Sequence, residues 1–170
     1  MIFNSVTFLT FLALVTGLYW VLPRRARMLM LFTASVVFYG FWRVEFVPLM
    51  LLSAVTDYVV SRKLGTTSEP SSRRGLLAIS LVVNLGLLFY FKYLIFFAGN
   101  VAAASTWVGL DWSAPEWKII LPLGISFYTF QTISYTVDVY RRVIEPERDF
   151  LLYANYVTFF PQLVAGPILR

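Results

Sequence analysis

Seven stretches of the chain run without Lys, Arg, Asp or Glu: Met1–Pro23, Met28–Trp42, Phe46–Thr56, Gly75–Phe91, Tyr93–Leu110, Ile119–Val137 and Phe150–Leu169. A helix that crosses a bilayer needs about 20 mostly apolar residues, within a range of roughly 17–25. Met1–Pro23, Gly75–Phe91 and Ile119–Val137 meet that length directly. Met28–Trp42 and Phe46–Ser61, which reads on past Asp57, reach it by borrowing flanking residues, with Arg27, Arg43 and Arg62 snorkelling to the interface. The pattern predicts an all-α, polytopic transmembrane helical bundle. Met1–Pro23 does not read as a signal peptide, because its arginines follow the apolar stretch instead of preceding it.

The basic residues predict an orientation. Arg24, Arg25 and Arg27, then Arg62, Lys63, Arg73 and Arg74, then Arg141, Arg142 and Arg148 make up ten of the 14 basic residues and fall in three segments. Cytoplasmic placement of all three satisfies the positive-inside rule with the N-terminus outside. It requires five crossings before Asp138, so Tyr93–Leu110 is expected as an extracytoplasmic loop or surface helix. Its small residues (Gly99, Asn100, Ala102 to Thr106, Gly109) favour this over a sixth crossing. Residues 1–170 then form a single membrane domain, with 65–72 as a solvated cytoplasmic linker. Aromatic clusters at Phe38–Trp42 and Phe89–Phe97, and Trp107, Trp112 and Trp117, read as interface anchors.

Composition narrows the chemistry. Hydrophobic residues make up 59% and charged residues 14% of 170, and mean hydropathy is +0.73. Soluble domains carry roughly 25% charged residues, so a soluble enzyme, a disordered chain and a nucleic-acid partner are all excluded. There is no cysteine and no histidine, which removes the usual thiol nucleophile, the commonest general base and the commonest metal ligands. No metal site is expected.

Polar residues inside a membrane need partners. The helix predicted over Leu121–Tyr140, with Pro122 in its first turn, carries two polar faces: Gln131, Ser134 and Asp138 on one, Thr129, Thr132 and Thr136 on another. It is therefore expected inside the bundle or beside a cavity, although threonines also serve for packing and for bonding back to carbonyls. Asp138 and Arg142 have the spacing of an i,i+4 ion pair. Asp57 is expected to be compensated by Arg62 or Lys63. Pro161, Gly166 and Pro167 interrupt Phe150–Leu169, which predicts two helical pieces joined near Pro161–Gln162, or a helix ending before Gly166. Broken backbone at membrane depth survives only when buried in protein or lining a wet cavity, although an ordinary interfacial turn would carry the same residues.

Several stretches carry a resemblance: Leu22–Arg25 (LPRR), Phe38–Trp42 (FYGFW), Ser53–Tyr58 (SAVTDY), Asn84–Tyr93 (NLGLLFYFKY), Leu121–Gln131 (LPLGISFYTFQ), Ser134–Arg141 (SYTVDVYR) and Phe159–Ile168 (FFPQLVAGPI). With these the chain closely resembles the membrane-bound O-acyltransferase family, in its bacterial alginate O-acetylase-like branch. Gln162 and Ala165 look more like that branch than the D-alanylation branch. The resemblance implies a many-helix bundle with a central tunnel in the cell inner membrane. It implies acyl transfer from a cytoplasmic donor, acetyl-CoA or another thioester, to hydroxyls of a polysaccharide such as alginate, cellulose or peptidoglycan. No bound cofactor is implied. Gln131, Ser134, Asp138, Pro161, Gln162, Gly166 and Pro167 would line the tunnel. The implied catalytic residue is a histidine in a later part of the family pattern, so the chain reads as the N-terminal part of a longer enzyme. Implied partners are the bilayer, the remaining part of the enzyme and periplasmic acetyl-transfer proteins. A D-alanyl-transfer relative, or a non-catalytic transporter or assembly subunit, is the alternative.

Overall fold

The computed structural model describes residues 5–107, 109, 112 and 118–165, with backbone alone at 164 and 165. It is all-α, with no strand among the described residues. Helix α1 spans Val6–Val21 and is capped by Ser5, whose hydroxyl accepts from the Phe8 amide at 3.1 Å. It stops one residue short of Pro23, because proline disfavours helical backbone in the residue before it. Pro23 then opens α2, Arg24–Trp42. A short 3₁₀ turn, Val44–Phe46, leads into α3, Val47–Thr66, with Pro48 in the first turn where its missing N–H costs nothing.

The expected linker over 65–72 is largely helix. Only Thr67, Ser68 and Glu69 separate α3 from α4, Pro70–Leu88. Pro70 starts α4, and the Ser71 and Ser72 hydroxyls donate to the Glu69 carboxylate, holding it below its usual range. Gly65 packs against Pro146 so closely that a Cβ would collide with the proline ring.

Of the loop or surface helix expected after Tyr93, the structure has a helix. A π turn at Phe89–Tyr93 continues α4 directly into α5, Leu94–Trp107. The run Ala102–Ala104, read as weakly apolar, is strong helix-forming sequence. Leu110 and Trp117 lie outside the described residues. Helix α6 spans Ile125–Tyr140 and begins later than predicted. Pro122 lies ahead of it in a turn whose carbonyl accepts from the Ile125 amide at 3.3 Å. The last run is broken into α7, Phe150–Thr158, and α8, Phe160–Ala165. The break falls at Phe159, and Pro161 occupies the first turn of α8, where its ring meets no preceding helical turn.

Helices α3, α4 and α6 pack together, while α2 packs on α1, α7 and α8. Tyr39, Met50, Ile125, Tyr128, Tyr153 and Leu163 form the centre. A second cluster joins Phe8, Phe38 and Phe160, with the last two ring centroids 5.4 Å apart. The remaining burial is inverted relative to a water-soluble protein. Ser53, Asp57, Ser80, Asn84, Thr132 and Thr136 are all fully buried, while Leu9, Leu14, Trp20, Val82 and Phe96 face outward. Water would penalise that surface heavily, and hydrocarbon would not. Val44–Thr66 and the continuous Pro70–Trp107 are each long and apolar enough to cross a membrane. The molecule is a membrane protein.

Candidate functional site

Helix α6 organises the interior. Its threonine face meets α3 and α4. There, Thr132 donates to the Asn84 side-chain oxygen at 3.3 Å, and Thr136 lies 3.4 Å from the Ser61 hydroxyl. The Asn84 amide donates to Asp57 at 2.7 Å, Ser80 donates to the other Asp57 oxygen, and Ser53 donates to Asn84 at 2.6 Å. Asp57 is thus held by neutral donors from α4, not by Arg62 or Lys63 as expected. The hydrogen bonds satisfy a carboxylate that a snorkelling cation on the same helix does not reach.

The opposite face of α6 turns toward α7 and α8. Gln131 is buried and donates to the Tyr156 carbonyl at 2.8 Å. Ser134 and Asp138 line a cavity of about 550 Å³, together with Tyr135, Glu147, Leu152, Tyr153, Asn155, Tyr156, Phe159 and Gln162. The structure therefore brings Ser134, Asp138 and Gln162 together around one space, with Gln131 beside it. Pro161 is exposed and is not part of the lining. Gly166 and Pro167 lie outside the described residues.

The expected Asp138–Arg142 pair does not form. The helix ends at Tyr140, and Arg142 turns into left-handed backbone at φ 60°, which carries its side chain off the helical register. The Asp138 carbonyl instead accepts from the Val143 amide at 2.9 Å. That reversal folds residues 141–149 back over α6, where the Glu147 amide donates to the Tyr135 hydroxyl at 2.7 Å.

Three lining tyrosines were not singled out from the sequence. Tyr135 and Tyr153 have ring centroids 4.9 Å apart, and Tyr156 lies 6.3 Å from Tyr135. The available signal was the i,i+3 spacing of Tyr153 and Tyr156, which puts both on one face of α7. Glu147, in an irregular segment, carried no signal. Three side-chain atoms of the lining residues, Tyr153 Oη, Asn155 Oδ1 and Gln162 Nε2, are buried without a hydrogen-bond partner among the described residues. The cavity combines two carboxylates, phenol hydroxyls and amides with an apolar wall of Ile144, Leu152 and Phe159. It suits a ligand with one polar and one apolar part. Among the described residues no group of three His, Cys, Asp or Glu converges as a metal site would need.

The α8 side of this space depends on a glycine. Gly124 adopts φ +68°, and a Cβ there would lie 2.5 Å from the Leu163 carbonyl oxygen. Glycine is required twice over, by conformation and by the close approach of α8.

The fold and cavity define an all-α membrane bundle with a polar interior site. Comparison with known proteins makes this specific. The chain is 41% identical over 172 residues to a probable alginate O-acetylase of Azotobacter vinelandii, a match covering 100% of the chain and 34% of that relative. It is 38% identical to a probable alginate O-acetylase of Pseudomonas aeruginosa, over 100% of the chain and 33% of the relative. A peptidoglycan O-acetyltransferase of Helicobacter pylori is 35% identical, over 84% of the chain and 31% of the relative. The chain thus spans about a third of the length of the curated relatives it matches. No family model matches it, and no solved structure matches it significantly. End to end, the chain is similar to the alginate O-acetylase-like membrane-bound O-acyltransferases.

Proposed function

We propose that this chain forms the part of a membrane O-acetyltransferase that admits the acyl donor from the cytoplasm. The full enzyme passes acetyl groups to hydroxyls of a polysaccharide such as alginate, cellulose or peptidoglycan. The observation that carries this reading is similarity along the whole chain to an alginate O-acetylase, and along 84% of it to a peptidoglycan O-acetyltransferase, proteins named for acetyl transfer to two different polysaccharides. The gathering of Arg24–Arg27, Arg62–Arg74 and Arg141–Asp149 at one end of the bundle supports a cytoplasmic face there. Arg73 bonds the Tyr140 carbonyl, Gly65 meets Pro146, and Arg24 and Arg25 share a groove with Asp149. The protein is then a multi-pass protein of the cell inner membrane, and the cavity opens beside its basic face.

Chemistry at a hydroxyl requires a base, and general-base help is typically worth about 10²–10⁴ in rate. In this reading a histidine outside these 170 residues supplies it, with Ser134, Asp138 and Gln162 shaping the space in which the donor is held. Periplasmic acetyl-transfer proteins would then hand the acetyl group on from the membrane enzyme to the polysaccharide hydroxyl. The test is acetyl transfer from acetyl-CoA in membranes, comparing the full-length protein with residues 1–170 alone. The full-length protein is expected to be active and the short chain inactive. Full-length Ser134→Trp, which fills the cavity, is expected to lose activity while keeping its expression level and melting temperature. Unchanged transfer by Ser134→Trp would remove the cavity from the reaction.

A further inference from the structure

A second concave feature adjoins the cavity. A groove of about 600 Å³ at the basic end of the bundle is lined by Arg24, Arg25, Met28, Leu29, Asp149 and Leu152, among others. Leu152 also lines the tyrosine-bearing cavity. It is 39% exposed and forms the wall between the two spaces.

The charges in this groove are unbalanced. The Asp149 carboxylate is engaged at the start of α7, where it accepts from the Leu151 amide at 2.9 Å. Arg27, one turn along α2, is used by the fold, donating to the Leu22 carbonyl at 3.2 Å and stacking 4.5 Å from the Tyr19 ring centre. Arg24 and Arg25 have no such role: among the described residues neither guanidinium has an ion-pair or hydrogen-bond partner. Two guanidinium groups offer paired N–H forks to tetrahedral oxyanions, and two positive charges match a phosphate or diphosphate better than a single carboxylate. The floor of Met28, Leu29 and Leu151 suits an organic portion attached to that anion.

We propose that Arg24 and Arg25 form a phosphate-binding site, and that its ligand reaches past Leu152 into the cavity. The second half of this statement rests on the reading of the cavity as the donor space. Two kinds of molecule carry the required chemistry: a soluble phosphorylated acyl donor of the coenzyme A type, and an anionic phospholipid whose headgroup lies at the membrane face.

The experiment measures binding of coenzyme A, inorganic pyrophosphate and short-chain phosphatidylglycerol to the full-length protein in phosphate-free maltoside micelles. Replacing Arg24→Gln and Arg25→Gln together is expected to weaken binding by about tenfold or more, the effect of losing one charged hydrogen bond or more. Arg24→Lys with Arg25→Lys keeps the charge that sets topology and is expected to lose severalfold affinity. Arg43→Gln, at the other end of α2, is expected to change nothing. Melting temperatures of all variants test the fold. Ser134→Trp, which fills the cavity and does not line the groove, is expected to preserve pyrophosphate binding and to weaken coenzyme A. Arginine-dependent binding of coenzyme A and pyrophosphate supports the site with the soluble donor as ligand. Arginine-dependent binding of phosphatidylglycerol alone keeps the phosphate site, assigns it to lipid and overturns the donor connection. Binding of every probe that ignores both double substitutions of Arg24 and Arg25, or binding of none by the parent protein, overturns the proposal. Arginine-dependent binding in a full-length protein that transfers no acetyl group would leave this site standing and remove the proposed function instead.

Discussion

The Arg73 guanidinium donates to the Tyr140 carbonyl at 2.6 Å, and with its other nitrogen to the Leu64 carbonyl and, at 3.0 Å, to that of Thr67. One buried cation therefore closes the C-terminal ends of α3 and α6 together. Both ends carry unpaired carbonyls and the negative pole of a helix dipole. Its ring contact with Tyr140, at 5.5 Å, adds a cation–π component.

Removing that group should be costly. Arg73→Ala is expected to lose about 2–4 kcal/mol, because buried carbonyls at two helix ends lose charged donors at once. Arg73→Lys should recover only part, since a single ammonium cannot reproduce a two-nitrogen fork. Thermal or denaturant unfolding of the purified protein checks this; a lysine variant as stable as the parent would show that charge alone matters.

Gly124→Ala should destabilise by about 1–3 kcal/mol, given its positive φ and the Leu163 carbonyl facing it. The added methyl must displace α8, so Gln162 should move away from Ser134. A spin-label distance between α6 and α8 that lengthens in the variant is the expected result. A distance and a melting temperature both unchanged would contradict the close approach.

The Asp57 network predicts strong coupling. Asp57→Ala leaves the Ser80 hydroxyl and the Asn84 amide as buried donors without that acceptor, at a cost of about 1–3 kcal/mol for each. The double variant Asp57→Ala, Asn84→Ala should cost much less than the sum of its single changes. Additive losses in the double-mutant cycle would mean the two side chains do not interact.

The absence of cysteine makes accessibility labelling clean. Single cysteines at Ser68 and Pro146 should label from the same side of the membrane, and one at Val44 from the other. Labelling of the cysteines at residues 44 and 68 from a common side would invalidate the arrangement of α3 as a crossing.

Much of this architecture is legible in the charge-free runs, because a bilayer imposes helix length and polarity directly on sequence. The two faces of α6 are legible for the same reason: 3.6-residue periodicity fixes which side chains share a face. Asp57 was misread because its partners Ser80 and Asn84 lie 23 and 27 residues away, on another helix. Local spacing offers Arg62 and Lys63 and says nothing of α4. The Asp138–Arg142 pair failed because the helix stops through left-handed backbone at a non-glycine residue, which composition does not flag. Arg73 resembled an ordinary loop cation until its burial placed it between two helix ends.

The π turn at Phe89–Tyr93 acts on everything beyond it as a change of phase. One surplus residue in a helical turn advances the following helix by about 100°, so the inward stripe of Ser80, Asn84 and Leu88 is turned to another side beyond Tyr93, and α5, on which no described residue is buried, projects past the packed helices. The unbroken 38-residue rod measures roughly 55 Å at 1.5 Å per residue, against about 30 Å of hydrocarbon. It behaves as a lever anchored at one end: a small rotation of α4 within the bundle is carried outward as a much larger sweep of the distal turns of α5.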